Sequence, residues 1–520
     1  MIPVIIGVAD IKNKTTKTED AKEPLQLMMQ AIEAAVQDTQ LSNSEILKLK
    51  SSIDSLSVVR TWTWTYADLP HLISEKLAIS PNLTHYTNHG GNQPAKLLDE
   101  ESLRVARGES RVSVITGGEA LASLGMYAKK GAMPPPGWTP PETEIKGVFT
   151  PSADRFAKDG LDGIHSIGLP IQVYPLYENG FRARRGQSLA ENHKESASLY
   201  SQFSEVAVTN PYSWNFQGKV ETPESVAQVT AKNRMICLPY PLLMNAFNSV
   251  NLAAACIITT AEYAAELGVP TSKWIYPLGG AGATDSEKVW NRPNYFSSPA
   301  ISKSLDRCLA SSGLTTNDID LFDFYSCFPI VPKLASEHLG LSISSPSRPI
   351  TLLGGLTFFG GAGNNYSMHA ITEMVRQLRG RQSQNGLILA NGGILTYQHA
   401  ICLSSRPPSN GMVYPNVQPA HQVAVEVSIP RVTYVAEGDA VIETYTVEFH
   451  RNGHPARGYI IGRQKADGSR FVANHGNETT LRKLASLTEE QIGKEGYVVP
   501  ELISGGRRRN LFYFSAKESI

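Results

Sequence analysis

The stretch Gly90-Gly91-Asn92-Gln93-Pro94 decides the fold of this chain, because the series of elements that follows it occurs twice. After it, a helical pattern covers residues 95–107 and ends at Gly108, a residue type that commonly follows a helix. A β-branched run over residues 111–116 then ends at Gly117-Gly118 and predicts a strand.

The second copy has the same order of elements. Gly360-Gly361 precedes a helical pattern over residues 366–379, and Gly380 follows it. The apolar run at residues 386–390 then ends at Gly392-Gly393. A repeat of more than 100 residues is too long for a solenoid unit and predicts two βαβ-rich halves with covered sheets. Sites in such folds lie at strand ends and helix N-termini, where these glycine pairs stand.

Three domains are predicted. Residues 1–279 form the first half and include a long insert at about 121–240, and residues 280–406 form the second half. After the insert, the alanine-rich segment 248–267 is predicted to be a largely buried helix.

The remaining residues, 407–520, have the pattern of an antiparallel β domain. Alternating or β-branched runs at 441–449 and 458–464 are joined through Asn452-Gly453, and Asp467-Gly468 follows the second run. This spacing predicts a small barrel like the oligonucleotide/oligosaccharide-binding (OB) fold.

Composition narrows the function classes. Lys plus Arg and Asp plus Glu both number 48, so no basic surplus indicates a nucleic-acid partner. The five cysteines stand alone, which argues against a structural metal or disulfide framework and suits a reducing compartment. We expect an intracellular protein, cytoplasmic or peroxisomal, without a signal peptide, a membrane span or a Ser-Lys-Leu tail.

Several motifs resemble those of the thiolase superfamily. They are Thr116-Gly117-Gly118-Glu119-Ala120, Tyr325-Ser326-Cys327-Phe328, Gly360-Gly361-Ala362-Gly363 and Asn391-Gly392-Gly393. The resemblance runs over essentially the whole chain and is closest to sterol-carrier-protein-type thiolase relatives with an additional C-terminal domain. It implies a duplicated thiolase fold with a loop insert, an acyl-CoA substrate, an unknown acceptor and no metal.

The catalytic residues of the thiolases do not carry over. The position of the nucleophilic cysteine falls on Gly91, that of the Gly-His-Pro histidine on Gly361, and that of the second cysteine near Ala390. Cys327 remains, and we expect it to carry or position the acyl group, with His369 or His399 as base.

The predicted site residues form two groups. Those expected to take part in chemistry are Cys327, His369, His399, His89 and Asn391. Those expected to bind coenzyme A are Gly90, Gly91, Asn248, Ser249, Gly361, Asn364, Arg182 and Arg185.

Two function classes remain open. The first is an acyl-CoA-dependent acyltransferase, similar to acetyl-CoA acetyltransferases, or an enzyme that handles a carbon–carbon bond. The second is an inactive CoA- or lipid-binding protein, or a scaffold subunit for a catalytic partner. The chain is expected to be a monomer or a dimer.

Overall fold

A computed structural model of the chain describes residues 1–143, 160–380, 382–408, 414–415, 422–423 and 428–518. The first half consists of β1 (Pro3–Lys12), α1 (Pro24–Asp38), α2 (Asn43–Ser51), β2 (Ile53–Val58), α3 (Leu69–Leu77), β3 (Leu83–Tyr86), α4 (Gln93–Arg107) and β4 (Val112–Ala120). Next comes the insert, with α5 (Leu121–Lys129), α6 (Leu161–His165), α7 (Pro170–Arg184), α8 (Leu189–Thr209), α9 (Pro223–Ala227), β5 (Met235–Cys237) and β6 (Tyr240–Pro241). The half closes with β7 (Asn251–Thr260) and α10 (Ala261–Leu267).

The second half repeats this plan. It consists of β8 (Tyr276–Thr284), α11 (Pro299–Ser312), β9 (Leu321–Phe324), α12 (Ile330–His338), α13 (Tyr366–Arg379), β10 (Asn385–Gly392) and β11 (Tyr397–Ser404). The first sheet has the order β1-β7-β4-β2-β3, and the second has the order β12-β8-β11-β10-β9, where β12 is the two-residue strand Gln422–Val423. The run β1-β7-β4-β2 of the first sheet corresponds to β8-β11-β10-β9 of the second. In each run the first two pairs are antiparallel and the last pair is parallel, so the predicted duplication is confirmed.

Two helices are buried between the sheets. Helix α4 contacts β4 and β7 of its own half and β8, β10 and β11 of the other half. Helix α13 contacts β10 and β11 of its own half and β1 and β7 of the other half. Because α1 and α11 cover the outer faces, the two halves form a five-layered α-β-α-β-α sandwich.

The prediction of a helix over 248–267 is wrong for its first part. Residues Asn251–Thr260 form β7, and only Ala261–Leu267 is helical. β7 lies in the sheet between β1 and β4, and all ten of its residues are buried. Its alanines have small side chains that allow α1, α4 and α13 to pack on the two faces. Tertiary packing therefore overrides the helical preference of alanine.

The C-terminal domain is a closed five-stranded barrel. Its elements are β13 (Gly438–Phe449), β14 (Pro455–Gln464), β15 (Arg470–His475), α14 (Glu478–Leu484), β16 (Glu495–Leu502) and β17 (Arg508–Tyr513). The strands follow one another in the order β13-β14-β15-β17-β16, and the ring closes because β13 also pairs with β16. The two predicted Asn-Gly and Asp-Gly turns join β13 to β14 and β14 to β15. The OB-like barrel is thus confirmed.

Two buried His–Asp pairs join the halves reciprocally. His369 Nδ1 on α13 lies 2.5 Å from Asp10 Oδ1 on β1, which belongs to the other half. His399 Nε2 on β11 lies 2.9 Å from Asp99 Oδ2 on α4, again across the halves. Burial alone would raise the pKa of Asp10, but the Arg376 guanidinium and the His369 hydrogen bond outweigh it and hold this pKa below its ordinary value.

We predict that Asp10→Asn lowers the free energy of unfolding by about 3 kcal/mol, since it removes the buried carboxylate that binds both His369 and Arg376 and leaves Arg376 paired with Glu373 alone. Urea unfolding measures this change. The matched control is Asp306→Asn, which breaks a His–Asp pair with His338 in which the Asp306 side chain is 65 % exposed. We expect the control to cost less than about 1 kcal/mol. Equal losses in the two variants would contradict the cross-half role of Asp10.

Candidate active site

The candidate site lies where the first residues of α4 meet the strand ends of the second half. A Cβ atom on Gly91 would stand 2.5 Å from the Tyr325 hydroxyl oxygen and 2.6 Å from the Asn391 carbonyl oxygen. A Cβ atom on Gly392 would overlap the Asn92 side-chain oxygen. Glycine is required here because two backbones and a phenol share the space that a side chain would occupy. The hydroxyl of Tyr325 thus lies at the side-chain position of residue 91.

The second glycine group is lined in the same way by polar groups from other segments. A Cβ atom on Gly361 would overlap the Asn248 side-chain oxygen, and one on Gly363 would stand 2.5 Å from Glu119 Oε1. The loop is held in place because the Gly361 N–H donates to the Phe247 carbonyl at 2.7 Å. Asn364 connects the two glycine groups, since its Oδ1 accepts from the Gly90 N–H at 3.1 Å.

Tyr325 follows β9 and keeps 6 % of its surface exposed. Its ring packs edge-on against Tyr366 with 5.4 Å between the ring centroids. Burial raises the pKa of Tyr325 above its ordinary value, so the phenol is protonated at neutral pH and can donate a hydrogen bond. Within the described residues we find no hydrogen bond that uses this hydroxyl. The phenol therefore remains available as a donor.

Cys327 lies two residues further on, and its thiol is enclosed. Asn391 Nδ2 stands 3.8 Å from the sulfur and 2.7 Å from the Tyr174 hydroxyl oxygen. Burial raises the pKa of the Cys327 thiol to about 12, against which the hydrogen bonds from Tyr174 and Asn391 act only in part. At neutral pH very little thiolate is present, which disfavours a role as nucleophile.

Two buried carboxyl groups, those of Glu119 and Asp323, lie near the C-terminal ends of β4 and β9 beside the cleft. Glu119 Oε1 accepts from the Trp62 N–H at 2.5 Å, and Oε2 accepts from the Thr63 N–H at 3.1 Å. Asp323 accepts from the Leu352 N–H at 2.8 Å. Burial raises the pKa of each carboxyl group to about 7, because the backbone donors offset only part of the lost hydration. Each therefore holds a loop through a group that titrates near neutrality.

The structure does not bring the three predicted histidines together as a catalytic group. His89 is exposed, and its Nδ1 lies 3.1 Å from Asn364 Nδ2. His369 and His399 are buried and bonded to Asp10 and Asp99, as described above. Each is held by a buried aspartate of the other half, and the role of either one as a base stays a prediction.

The residues expected to bind coenzyme A are divided between two places. Gly90, Gly91, Gly361, Asn364 and Asn248 meet at the cleft, and Ser249 is exposed next to it. Arg182 and Arg185 are used elsewhere.

Arg182 is fully buried and bonds Glu490 of the barrel, with 3.1 Å between Arg182 Nη2 and Glu490 Oε1. Arg185 bonds Glu195 of α8 at 2.9 Å. The structure does not support the expectation that Arg182 binds coenzyme A, because its donors already bind Asn179 and Glu490.

Sequence reasoning overlooked Tyr325, Glu119, Asn92 and Tyr174 as parts of this site. The first three stand inside motifs already recognised, so their residue types were visible. Their placement depends on contacts between segments far apart in the chain. One signal was available: a glycine at the position of a nucleophile leaves space that another side chain must fill.

The two sheets of matching strand order, the central helix pair and the cleft at the glycine groups define the thiolase fold. Residues 420–501 match the family described as the thiolase-like protein type 1 additional C-terminal domain. The chain also matches the crystal structure of a monomeric SCP2-thiolase-like protein type 1 from Mycobacterium smegmatis. Identity is 30 %, the TM-score is 0.80, and the match covers 98 % of this chain and 99 % of that one. The chain therefore belongs to the SCP2-thiolase-like type 1 proteins of the thiolase superfamily.

More distant structures share the thiolase part of the fold. The Ltp2–ChsH2(DUF35) aldolase has 19 % identity and a TM-score of 0.60 over 78 % of this chain and 98 % of that one. Human mitochondrial 3-ketoacyl-CoA thiolase in complex with CoA has 14 % identity and a TM-score of 0.54, with the same coverage. A comparison with curated proteins found no match.

The described residues hold neither a candidate membrane-spanning helix nor a candidate metal site. None of their helices is long and apolar enough to cross a membrane. No group of three or more His, Cys, Asp or Glu side chains in the described part of the chain is arranged to hold a metal ion.

We predict that Glu119→Gln removes a contribution to stability that decreases as pH rises from about 4.5 through 7. Burial raises the folded-state pKa of Glu119 to about 7, from an ordinary value of 4.5, so the folded protein binds the proton more tightly in this window. The contribution of Glu119 is present at low pH and is lost as pH rises, by roughly 3 kcal/mol. Asp323 adds a fall of the same sign.

Urea unfolding of the parent protein and Glu119→Gln at pH 5 and pH 7.5 measures this difference. Glu33→Gln, at an exposed position on α1, is the control and should keep the pH dependence of the parent protein. An unchanged pH dependence in Glu119→Gln would contradict the assignment of a raised pKa to this carboxyl group.

Proposed function

We propose that this protein binds an acyl-CoA thioester in the cleft and acts on a carbon–carbon bond of its acyl group without acylating a cysteine. The carrying observation is the Tyr325 hydroxyl, which stands 2.5 Å from where a side chain at Gly91 would begin. That position belongs to the nucleophile in the thiolases this sequence resembles. The chain thus offers a neutral hydrogen-bond donor there and no nucleophile.

When the C2–C3 bond of an acyl-CoA breaks, the electron pair left on C2 is delocalised onto the thioester carbonyl oxygen as negative charge. A donor already in position stabilises that charge. In a 3-hydroxyacyl-CoA, the C3 hydroxyl gives its proton to water, the C3 carbonyl forms and the C2–C3 bond breaks. The electron pair forms the thioester enolate, which takes up a proton at C2. The products are acetyl-CoA and an aldehyde or ketone, and no oxidant is needed. Tyr325 would donate to the carbonyl oxygen throughout.

Two neighbours support the substrate class and the reaction type. The human mitochondrial 3-ketoacyl-CoA thiolase was solved with CoA, and the Ltp2–ChsH2(DUF35) protein is described as an aldolase. The M. smegmatis relative is described as monomeric, and we propose the same state for this chain.

Acyl transfer through Cys327 is the second candidate. It is favoured by one observation: Asn391 Nδ2 lies near both the sulfur and the Tyr174 hydroxyl, so the thiol stands in a polar setting at a strand end. Its raised pKa weakens this candidate.

We predict that Tyr325→Phe lowers turnover of a 3-hydroxyacyl-CoA panel about 100-fold or more, since one oxyanion donor is lost. CoA affinity, measured by calorimetry, should change less than about threefold because the ring remains. Release of acetyl-CoA, read by liquid chromatography and mass spectrometry, gives the turnover. Tyr263→Phe, which loses a hydroxyl bonded to Ser52 away from the cleft, is the control and should keep full activity.

Cys327→Ala separates the two candidates. The proposal expects retained cleavage and no mass increase of the parent protein after incubation with acetyl-CoA. An acyl adduct that disappears in Cys327→Ala would establish the acyltransferase instead. CoA binding without turnover of any thioester would identify a non-catalytic binder and overturn the proposal.

A further inference from the structure

Helix α7 separates the C-terminal barrel from the second half and is bonded to both. Its residues from Gln172 to Arg182 are buried without a break, which is unusual for a helix in an insert. A helix that is enclosed on all sides has no solvent-facing surface along which it could shift freely.

One face of α7 is bonded to the barrel at successive turns. Gln172 Nε2 donates to the Tyr459 hydroxyl at 2.9 Å, and the Thr444 hydroxyl donates to the Leu176 carbonyl at 2.6 Å. Asn179 Nδ2 donates to the carbonyl of Tyr445 at 2.9 Å. The intervals of four and three residues place these contacts on one side of the helix. The ion pair between buried Arg182 and the partly exposed Glu490 continues the same line.

The opposite face of α7 is bonded to the cleft. The Tyr174 hydroxyl accepts from Asn391 Nδ2 at 2.7 Å and from the Leu395 N–H at 3.1 Å. The Tyr174 ring stacks on Phe328, with 4.6 Å between the centroids. One turn later, Glu178 accepts from the buried Lys333 of α12 at 2.6 Å.

From this arrangement we infer that the barrel acts as a positioning domain for the cleft, through α7 and the hydroxyl of Tyr174. Tyr174 is the positioning residue, since it holds Asn391, whose carbonyl oxygen stands 2.6 Å from where a side chain at Gly91 would begin. The inference rests on the cleft being the functional site, as proposed above. It assigns the barrel a role in the geometry of that site and not in binding a ligand of its own.

The polar contacts on the barrel face make this coupling specific. An apolar interface could slide by small amounts, whereas a buried amide that loses its partner costs a full desolvation penalty. Each bond of Gln172 and Asn179 therefore fixes the axial position of α7. A displacement of α7 would carry Tyr174 away from Asn391 and Leu395 on the other face.

The test is amide hydrogen exchange of the unliganded full chain, read on peptides covering residues 391–397. Tyr459→Phe removes the barrel hydroxyl that bonds Gln172 and leaves the cleft residues untouched. We predict about fivefold faster exchange at the Leu395 amide, because the acceptor of this amide is the Tyr174 hydroxyl. Arg509→Met is the control. It breaks a partly exposed ion pair with Glu501 between two strands of the barrel and should leave the exchange of the 391–397 peptide unchanged.

A double-mutant cycle tests whether the effect passes through Tyr174. Tyr174→Phe alone should accelerate exchange of the 391–397 peptide, and adding Tyr459→Phe should change it by less than about twofold. If the accelerations of exchange caused by the two substitutions multiply in the double variant, the barrel acts on this peptide by a route other than Tyr174, which would overturn the inference. Faster exchange in β14 with no change at 391–397 in Tyr459→Phe would overturn it as well.

A conservative pair at the other end of α7 provides the rescue. Arg182→Met should accelerate exchange at 391–397, whereas Arg182→Lys keeps a cation opposite Glu490 and should restore most of the protection. Equal exchange in the two variants would contradict the role of this ion pair. These measurements need no substrate, so they can succeed or fail independently of the proposed reaction.

Discussion

The close approach between the head of α4 and the strand ends of the second half is the constraint on which the site depends. At Gly91 and Gly392 the absence of side chains lets the Tyr325 phenol, the Asn391 carbonyl and the Asn92 amide occupy one small volume. A cysteine at position 91 would overlap both the phenol and the Asn391 backbone. The same packing arrangement therefore excludes a cysteine at position 91 and places the Tyr325 hydroxyl there.

The duplication explains why the cleft exists and what holds it. Each central helix packs on both sheets, so the halves cannot separate without exposing α4 and α13. Each central helix also bonds a strand of the other half. The Asp10–His369 pair joins α13 to β1, and the Asp99–His399 pair joins α4 to β11. The insert adds α7 on one side, and the barrel bonds its outer face. The four parts of the chain thus meet around residues that are far apart in the sequence.

The fold was largely predictable, because duplicated patterns and hairpin turns are local signals. The repeat of Gly90-Gly91 at Gly360-Gly361 predicted two halves, and the structure has the same strand order in both sheets. β7 was mistaken for a helix because alanine favours helices unless the surroundings decide otherwise. In the site, Asn391 and Asn364 were predicted to lie near the cleft, whereas the place of Tyr325 and the pairing of Arg182 with Glu490 depend on distant contacts that no local pattern records.

The proposed reaction requires Tyr325 to occupy the position of the thiolase nucleophile and to donate a hydrogen bond to a bound thioester. The most direct measurement is a crystal structure with a stable CoA ester analogue. If Tyr325 is the donor, the ester carbonyl oxygen lies within about 3 Å of the Tyr325 hydroxyl oxygen, and Cys327 is unmodified. A covalent bond from the ligand to Cys327, or an ester group placed away from Tyr325, would contradict the proposed reaction.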